Sequence, residues 1–346
     1  MVVNMLIGAL VLSTIILAHE LGHFISAKSA GVKVEEFGLG FPPRLASFKR
    51  GETRYSLNAI PFGGFTKLLG EEDPNQPRSL ASKSRRIRLL VLSAGSLMNL
   101  LLALILFSAG YLFPSGATSG QVVVEAVAPN SPAATAGIKA GDIILSVNSQ
   151  PMTSSNELFQ YVTNHLGEKT TLLIQRPDST SVSIDIIPRT NPPEGQGAIG
   201  IATRTVKRYP LWQVLPLGAT ELFREVIMWG QGLVSVFTGK ITASFFGPIG
   251  IAQLTGEVAG FGIVSLLRIS ALISLIVGIM NLLPLPAIDG GRIAFVVLEW
   301  LRRGKRVSAR TEGIVHFVGL VMFLLFSLAI TYQDIARIIS GGSPIP

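Results

Sequence analysis

Four residues of this 346-residue chain have the types and spacing to do chemistry together. His19, Glu20 and His23 lie in the run HELGH. On a helix, residues four apart share a face. Two imidazoles so placed can reach one metal ion, with Glu20 beside them as a proton acceptor that need not be a ligand. Zinc is the metal this donor set suits best, and it lowers the pKa of bound water from about 15.7 to about 7. The motif ends an apolar run, where ionisable groups are costly and mark function. The bland alternative is a helix end whose polar residues meet lipid headgroups.

A catalytic zinc takes three protein ligands and keeps a fourth position open. The chain has no cysteine, so the third ligand must be histidine or carboxylate. His165 falls in a soluble-looking stretch and His316 at the start of an apolar run, so both are poor candidates. Asp289, in NLLPLPAIDGGR, is the expected third ligand. Pro284 and Pro286 end the preceding helix or extend the chain. Gly290 and Gly291 are expected to allow a tight turn that aims the carboxylate back. The competing role for Asp289 is N-cap of a helix over Gly290–Trp300. Iron or cobalt could occupy the same ligand set.

These residues need elements to carry them. Hydrophobic residues make up 48% of the chain and charged residues 14%, against about 25% charged in soluble domains. The apolar residues concentrate in four runs: Val2–Ala18 continuing to Ala27, Ile87–Phe113, Phe261–Leu285 and Ile314–Ile330. Each is near the ~20 residues that span a bilayer. The first has no positive n-region and no clean cleavage site, so a retained helix is expected rather than a signal peptide. The expected fold class is an α-helical polytopic membrane protein of about four transmembrane helices, with an inserted α+β domain. Residues 1–113 would form the first membrane part and 261–346 the second.

The formal net charge is +8, but it is sorted. Twelve Lys/Arg lie between Lys28 and Arg88 and five between Arg302 and Arg310. Between Tyr111 and Gly262, nine are nearly cancelled by ten acids. By the positive-inside rule the two basic loops face the cytoplasm. Both termini and the 111–262 region then lie outside, and the HELGH and Asp289 ends meet on the cytoplasmic side. No basic stripe with interleaved aromatics is present, so nucleic acid is not an expected partner.

Residues 114–192 read as a small extracytoplasmic domain. Alternation predicts strands at Gln121–Val127, Ile143–Asn148, Thr170–Gln175 and Ser181–Ile187. Short helices are expected after Ser131 and over Asn156–Leu166. This order, with APNSPAATAGIKAGDIILSVNSQPM, resembles a bacterial PDZ domain. The resemblance implies a partner: a peptide C-terminus or extended segment added to a sheet edge. A mere spacer is the alternative. Thr190–Gly197 is a linker by composition. Within 193–260, Leu211–Thr238 mixes apolar residues with Glu221, Arg224 and Glu225, which suits an amphipathic helix on the membrane surface. A helix packed on the PDZ-like domain is the other reading.

HELGH on a first span and NLLPLPAIDGG at the end of a third resemble the site-2 protease family of intramembrane metalloproteases, in its single-PDZ bacterial form. The likeness runs through nearly the whole chain, including VEEFGLGFPPRL, YSLNAIPFGGFTKLLGEED, AGSLMN and GPIGIA. It implies His19, His23 and Asp289 as zinc ligands and Glu20 as general base. It implies that Asn281, Pro284 and Pro286 hold substrate near the metal. Ser96, Ala287 and Ile288 depart from the family pattern, and none is a ligand. Expected substrates are single-pass membrane proteins, with anti-sigma factors and leftover signal peptides as the family's examples.

Residues 32–70 gain a role from this. A peptide bond inside a helix is shielded, so a protease must unwind it. An unwound strand in the membrane needs pairing for its backbone. A re-entrant β element with an open edge, flexible at Gly63 and Gly64, is expected to offer that pairing. A plain cytoplasmic hairpin is the alternative. Asn281 or Asn99 is positioned to grip the backbone or the oxyanion, and Asn99 reads equally well as an interhelical hydrogen-bonding residue. Two rival functions are an inactive peptide-binding scaffold and an ion transporter. The first has no use for a general base, and the second lacks paired broken helices in matching halves.

Overall fold

The computed structural model describes residues 2–71, 75–113, 120–193, 196–206, 209–240 and 246–340. The chain divides into two compact units, 1–110 with 214–346, and 111–213.

In the first unit, α1 (Val2–Ser29) leads into a long hairpin, β1 (Val34–Arg50) and β2 (Thr53–Leu68). Then come α2 (Arg85–Gly110), α5 (Leu211–Phe237, in this unit from Val214), α6 (Pro248–Ala259), α7 (Ile263–Met280), α8 (Asp289–Leu301) and α9 (Ala309–Ile339). Four helices are long and apolar enough to cross a membrane: Val3–Ser29, Arg85–Gly110, Ile263–Met280 and Ala309–Ile339. The third expected run is shorter as a helix. Its start at Phe261 lies in the turn between α6 and α7, and the helix stops at Met280, four residues before Pro284.

Helices without a hydrophobic drive between them pack through small residues. A Cβ on Gly22 would lie 2.3 Å from the Ala94 carbonyl oxygen, so α1 and α2 touch backbone to backbone. Gly8 meets Ala252 in the same way, bringing α6 against α1. The α6 N-terminus carries unsatisfied N–H groups. The buried Asp334 of α9 accepts one of them, Gly250 N–H, at 2.8 Å.

The hairpin is more than two straight strands. Glu36 pairs with both Arg54 and Lys67, and Leu39 with both Leu57 and Gly64, while Ala46 pairs with Leu57 and Phe48 with Tyr55. The chain therefore doubles back within each strand. The result is a four-segment mixed sheet in the order 44–50, 53–58, 34–39, 64–68, in which the two outer pairs run antiparallel and the central pair, 53–58 with 34–39, runs parallel. Gly40, with φ of 76°, and Gly63, with φ of 92°, lie at the bends. The sheet's inner end is fixed by an apolar cluster of Ala27, Val32, Val34, Leu68, Val91 and Val296, which joins α1, α2 and α8.

The second unit is one sheet with two short helices. Strands β3 (Gln121–Val127), β4 (Ile143–Val147), β6 (Thr170–Gln175), β7 (Ser181–Ile186) and β8 (Ile201–Val206) run in the order β7-β6-β4-β3-β8, and β5 (Gln150–Pro151) pairs with β4. Helix α3 (Pro132–Thr135) starts at Ser131, whose hydroxyl accepts Ala134 N–H, and α4 (Ser155–Asn164) starts at Ser154, which accepts Glu157 N–H. Such caps are worth about 1 kcal/mol each. Leu158 and Val162 of α4 join Val122, Ile144, Leu172 and Ile174 in the core. The unit extends beyond the expected boundary at 192. Ile199 enters its core and β8 pairs along β3, so the Pro/Gly-rich stretch before them is an internal loop.

Candidate metal centre

His19 and His23 sit on one face of α1, both buried, and Asp289 is the first residue of α8. Their ligand atoms converge. His19 Nε2 lies 2.9 Å and His23 Nε2 3.0 Å from Asp289 Oδ2, and the two nitrogens are 3.2 Å apart. If both rings donate to the carboxylate, the contact between the nitrogens cannot be a hydrogen bond. A cation satisfies all three atoms at once. Bonds of about 2.0–2.1 Å at tetrahedral angles need donor atoms roughly 3.3 Å apart, within a few tenths of an ångström of this triangle. Among the described residues this is the one cluster of three metal-competent side chains.

One stripe of α2 serves the site. Val91, Gly95 and Asn99 recur every four residues and so face α1 together. The Val91 carbonyl lies 2.8 Å from His23 Nδ1. A carbonyl only accepts, so Nδ1 carries the proton and Nε2 of the neutral ring offers its lone pair. Gly95 leaves room: a Cβ there would stand 2.4 Å from His23 Nε2 and 2.6 Å from His19 Nε2, inside the cradle the ligand atoms form. Asn99 is wholly buried, its amide 3.4 Å from His19 Nδ1, and its Oδ1 has no partner among the described residues. An amide can be assigned either way round. With Oδ1 turned to the imidazole, it accepts the Nδ1 proton and leaves His19 Nε2 free to bind. The orphaned oxygen and the side-chain-free cradle both fit a bound zinc.

Glu20 follows His19 on α1 and turns toward the sheet. Thr66 Oγ1 donates to the Glu20 carbonyl at 3.0 Å, and a Cβ on Gly64 would lie 3.6 Å from Glu20 Cγ. Edge segment 64–68 therefore runs beside Glu20. Gly63 lies deeper, with its Cβ position 3.6 Å from Ile16 Cγ2.

The remaining expected residues lie around Asp289. Asn281 caps α7, and its side-chain amide is folded back onto the Val277 carbonyl at 3.0 Å. Pro284 and Pro286 lie exposed in the loop between α7 and Asp289. The two glycines after Asp289 do a different job from the expected one. Neither has positive φ; a Cβ on Gly290 would lie 1.8 Å from Leu283 O and one on Gly291 2.4 Å from Leu285 O. They let the loop lie directly on α8, and the left-handed residue of the turn is Ala287, with φ of 73°. Asp289 makes no N-cap hydrogen bond. Val91 and Gly95 were not singled out from sequence, although the spacing of Gly95 and Asn99 in AGSLMN was visible.

Residues 7–326 match the pattern described as peptidase family M50. A protein of Clostridium acetobutylicum named as a candidate zinc metalloprotease is 34% identical over 339 residues, covering 96% of this chain and 97% of its own. The regulator of sigma-W protease RasP of Bacillus subtilis is 27% identical over 424 residues, covering 98% of this chain and 100% of its own. Among solved structures, the PDZ domain of an SdrC-like protein of Listeria innocua matches at 25% identity and a TM-score of 0.22, over 26% of this chain and 99% of that one.

Proposed function

The chain belongs to peptidase family M50 and is a zinc metalloprotease, and from that premise we propose that it cuts single-pass membrane proteins within their transmembrane segments. His19, His23 and Asp289 hold the metal, and Glu20 is the general base. The observation that carries this reading is the convergence of three ligand atoms within an ångström-scale triangle beside Glu20. When bound, zinc makes water a nucleophile at neutral pH and polarises the scissile carbonyl. Glu20 accepts the water's proton and delivers it to the leaving amine. Val91 and Asn99 fix the two imidazoles, and Gly95 keeps the cradle open.

The sheet supports a role in presenting substrate. Segment 64–68 has a paired side, toward 34–39, and lies next to Glu20. Its bend at Gly63 lies beside Ile16, within α1, which suits a re-entrant element rather than a hairpin wholly in the cytoplasm. An unwound substrate strand pairing near this edge would satisfy its backbone groups and put a carbonyl at the metal. The exposed loop with Pro284 and Pro286 leads directly into Asp289.

Charge sorting supports an orientation with both termini and the 111–213 unit outside and the metal near the cytoplasmic face. The PDZ-like unit then acts as a gatekeeper that captures or excludes substrates by their outer part. The sigma-W name of the Bacillus relative favours anti-sigma factors as substrates, with remnant signal peptides as a second class.

The test is cleavage of a transmembrane model substrate by purified, detergent-solubilised protein, wild type against Glu20→Gln. Cutting inside the hydrophobic segment by wild type alone is expected. Equal cutting by both would remove Glu20 from the chemistry, and cutting only outside the segment would remove the intramembrane reading.

A further inference from the structure

The loop that delivers Asp289 is held from a helix that supplies no ligand. Ala287, two residues before Asp289, has φ of 73°. A side chain in that region is strained and persists only where its surroundings hold it. The hold comes from α9. Ala287 N–H donates to His316 Nδ1 at 3.1 Å. Because a backbone N–H can only donate, His316 is neutral there, with its proton on Nε2. That Nε2 is buried and has no partner among the described residues, so the ring's one recorded hydrogen bond is the one to the loop. The ring is fixed on both sides. It packs on Phe295 of α8 at a centroid distance of 5.6 Å, and its Cε1 would lie 3.1 Å from a Cβ on Gly291. Three residues further along α9, Gly319 presents bare backbone: a Cβ there would lie 2.2 Å from Pro286 Cβ.

We infer that His316 is a positioning residue for the metal site: by accepting the Ala287 N–H it holds the left-handed turn that aims the Asp289 carboxylate at His19 and His23. This rests on the reading of Asp289 as a ligand. The side chain acts through the loop, on a backbone group two residues before Asp289, as outer-shell partners do when they set ligand orientation. It gives a role to the one histidine of α9, whose buried Nε2 has no partner among the described residues. It also makes α9 part of the metal site's scaffold.

The experiment is zinc affinity, by competition with a chromophoric chelator, of the full chain in detergent. Wild type is compared with His316→Leu, His316→Asn, His316→Gln and Asp289→Ala. Asparagine places an acceptor near the Nδ1 position, whereas glutamine places it one bond further out. His316→Leu should bind zinc about 10- to 100-fold more weakly, the range for lost outer-shell partners. His316→Asn should stay close to wild type, and His316→Gln should resemble leucine. If the leucine protein does not fold, the asparagine–glutamine comparison decides alone. Wild-type affinity in His316→Leu, with loss in Asp289→Ala, overturns the inference and leaves the ligand set standing. Equal weakening by asparagine and glutamine overturns it too, since ring packing would then be responsible. Wild-type affinity in Asp289→Ala would instead remove the ligand assignment on which it rests.

Discussion

Gly95 of α2 faces His23 of α1 so closely that a methyl group on its Cα would lie 2.4 Å from Nε2. The same methyl would be 2.6 Å from His19 Nε2. Gly95→Ala therefore pushes a carbon into the place where the ligand atoms meet. The expected result is loss of stoichiometric zinc, measured by metal analysis of the purified protein, with helix content retained in circular dichroism. A fully metallated alanine variant would show that the two helices can part without harm to the site.

Asn99 is expected to act on His19 rather than on substrate. Asn99→Ala removes the acceptor for the His19 Nδ1 proton, and losses of 10- to 100-fold in metal affinity are typical for such partners. Asn99→Asp keeps an acceptor and should retain more affinity than alanine. Chelator competition reads both. A drop in cleavage with unchanged zinc affinity in the alanine variant would return Asn99 to substrate binding.

Gly63 and Gly64 separate presentation of substrate from metal binding. Gly63 has φ of 92°, which a β-branched residue adopts only under strain. A Cβ on Gly64 would meet Gly38 O at 2.9 Å. Gly63→Val and Gly64→Val should lower cleavage of a transmembrane substrate while zinc content stays at wild type. Undiminished cleavage would dismiss the sheet edge as the receiving strand.

Arg88 and Glu299 form a buried pair at 2.6 Å that joins α2 to α8, the helix Asp289 begins. Breaking a buried pair from one side costs about 3–5 kcal/mol, whereas replacing both partners is often neutral. Arg88→Met should lower the thermal midpoint in detergent clearly, and the double change Arg88→Met with Glu299→Leu should recover much of it. Arg306, 3.4 Å from Glu299, softens the single-variant loss. Additive losses in the double variant would refute the pairing argument.

How much of this was legible in the sequence depends on the range of the contacts. HELGH fixes its own geometry, because helix periodicity alone puts His19 and His23 on one face. That Asp289 joins them was legible once a third metal-competent side chain was sought. The four apolar helices announced themselves by length and composition. Longer-range facts were not visible. A β element was expected over residues 32–70, but nothing local told that each strand folds back and pairs twice. The strand at Ile201–Val206 was hidden behind a Pro/Gly-rich loop that looked like a domain boundary. Gly290 and Gly291 suggested a glycine-driven turn, yet the turn's left-handed residue is an alanine held from another helix. His316 read only as a residue at the start of an apolar run, because its partner is 29 positions away and is a backbone N–H.

The two polar grips on α9 have a consequence for the bilayer itself. His316 holds the loop before Asp289, and Asp334 holds the start of α6. Between them the helix rises about 27 Å at 1.5 Å per residue, close to the ~30 Å of a hydrocarbon core, and its apolar side chains, Phe317, Met322 and Leu328 among them, are exposed. For a helix that spans the membrane, the two tether points fix a length that the lipid must match. A thicker or thinner bilayer must then be met by tilt or by local deformation of the lipid. Membrane thickness becomes a variable that bears directly on how the loop before Asp289 is held.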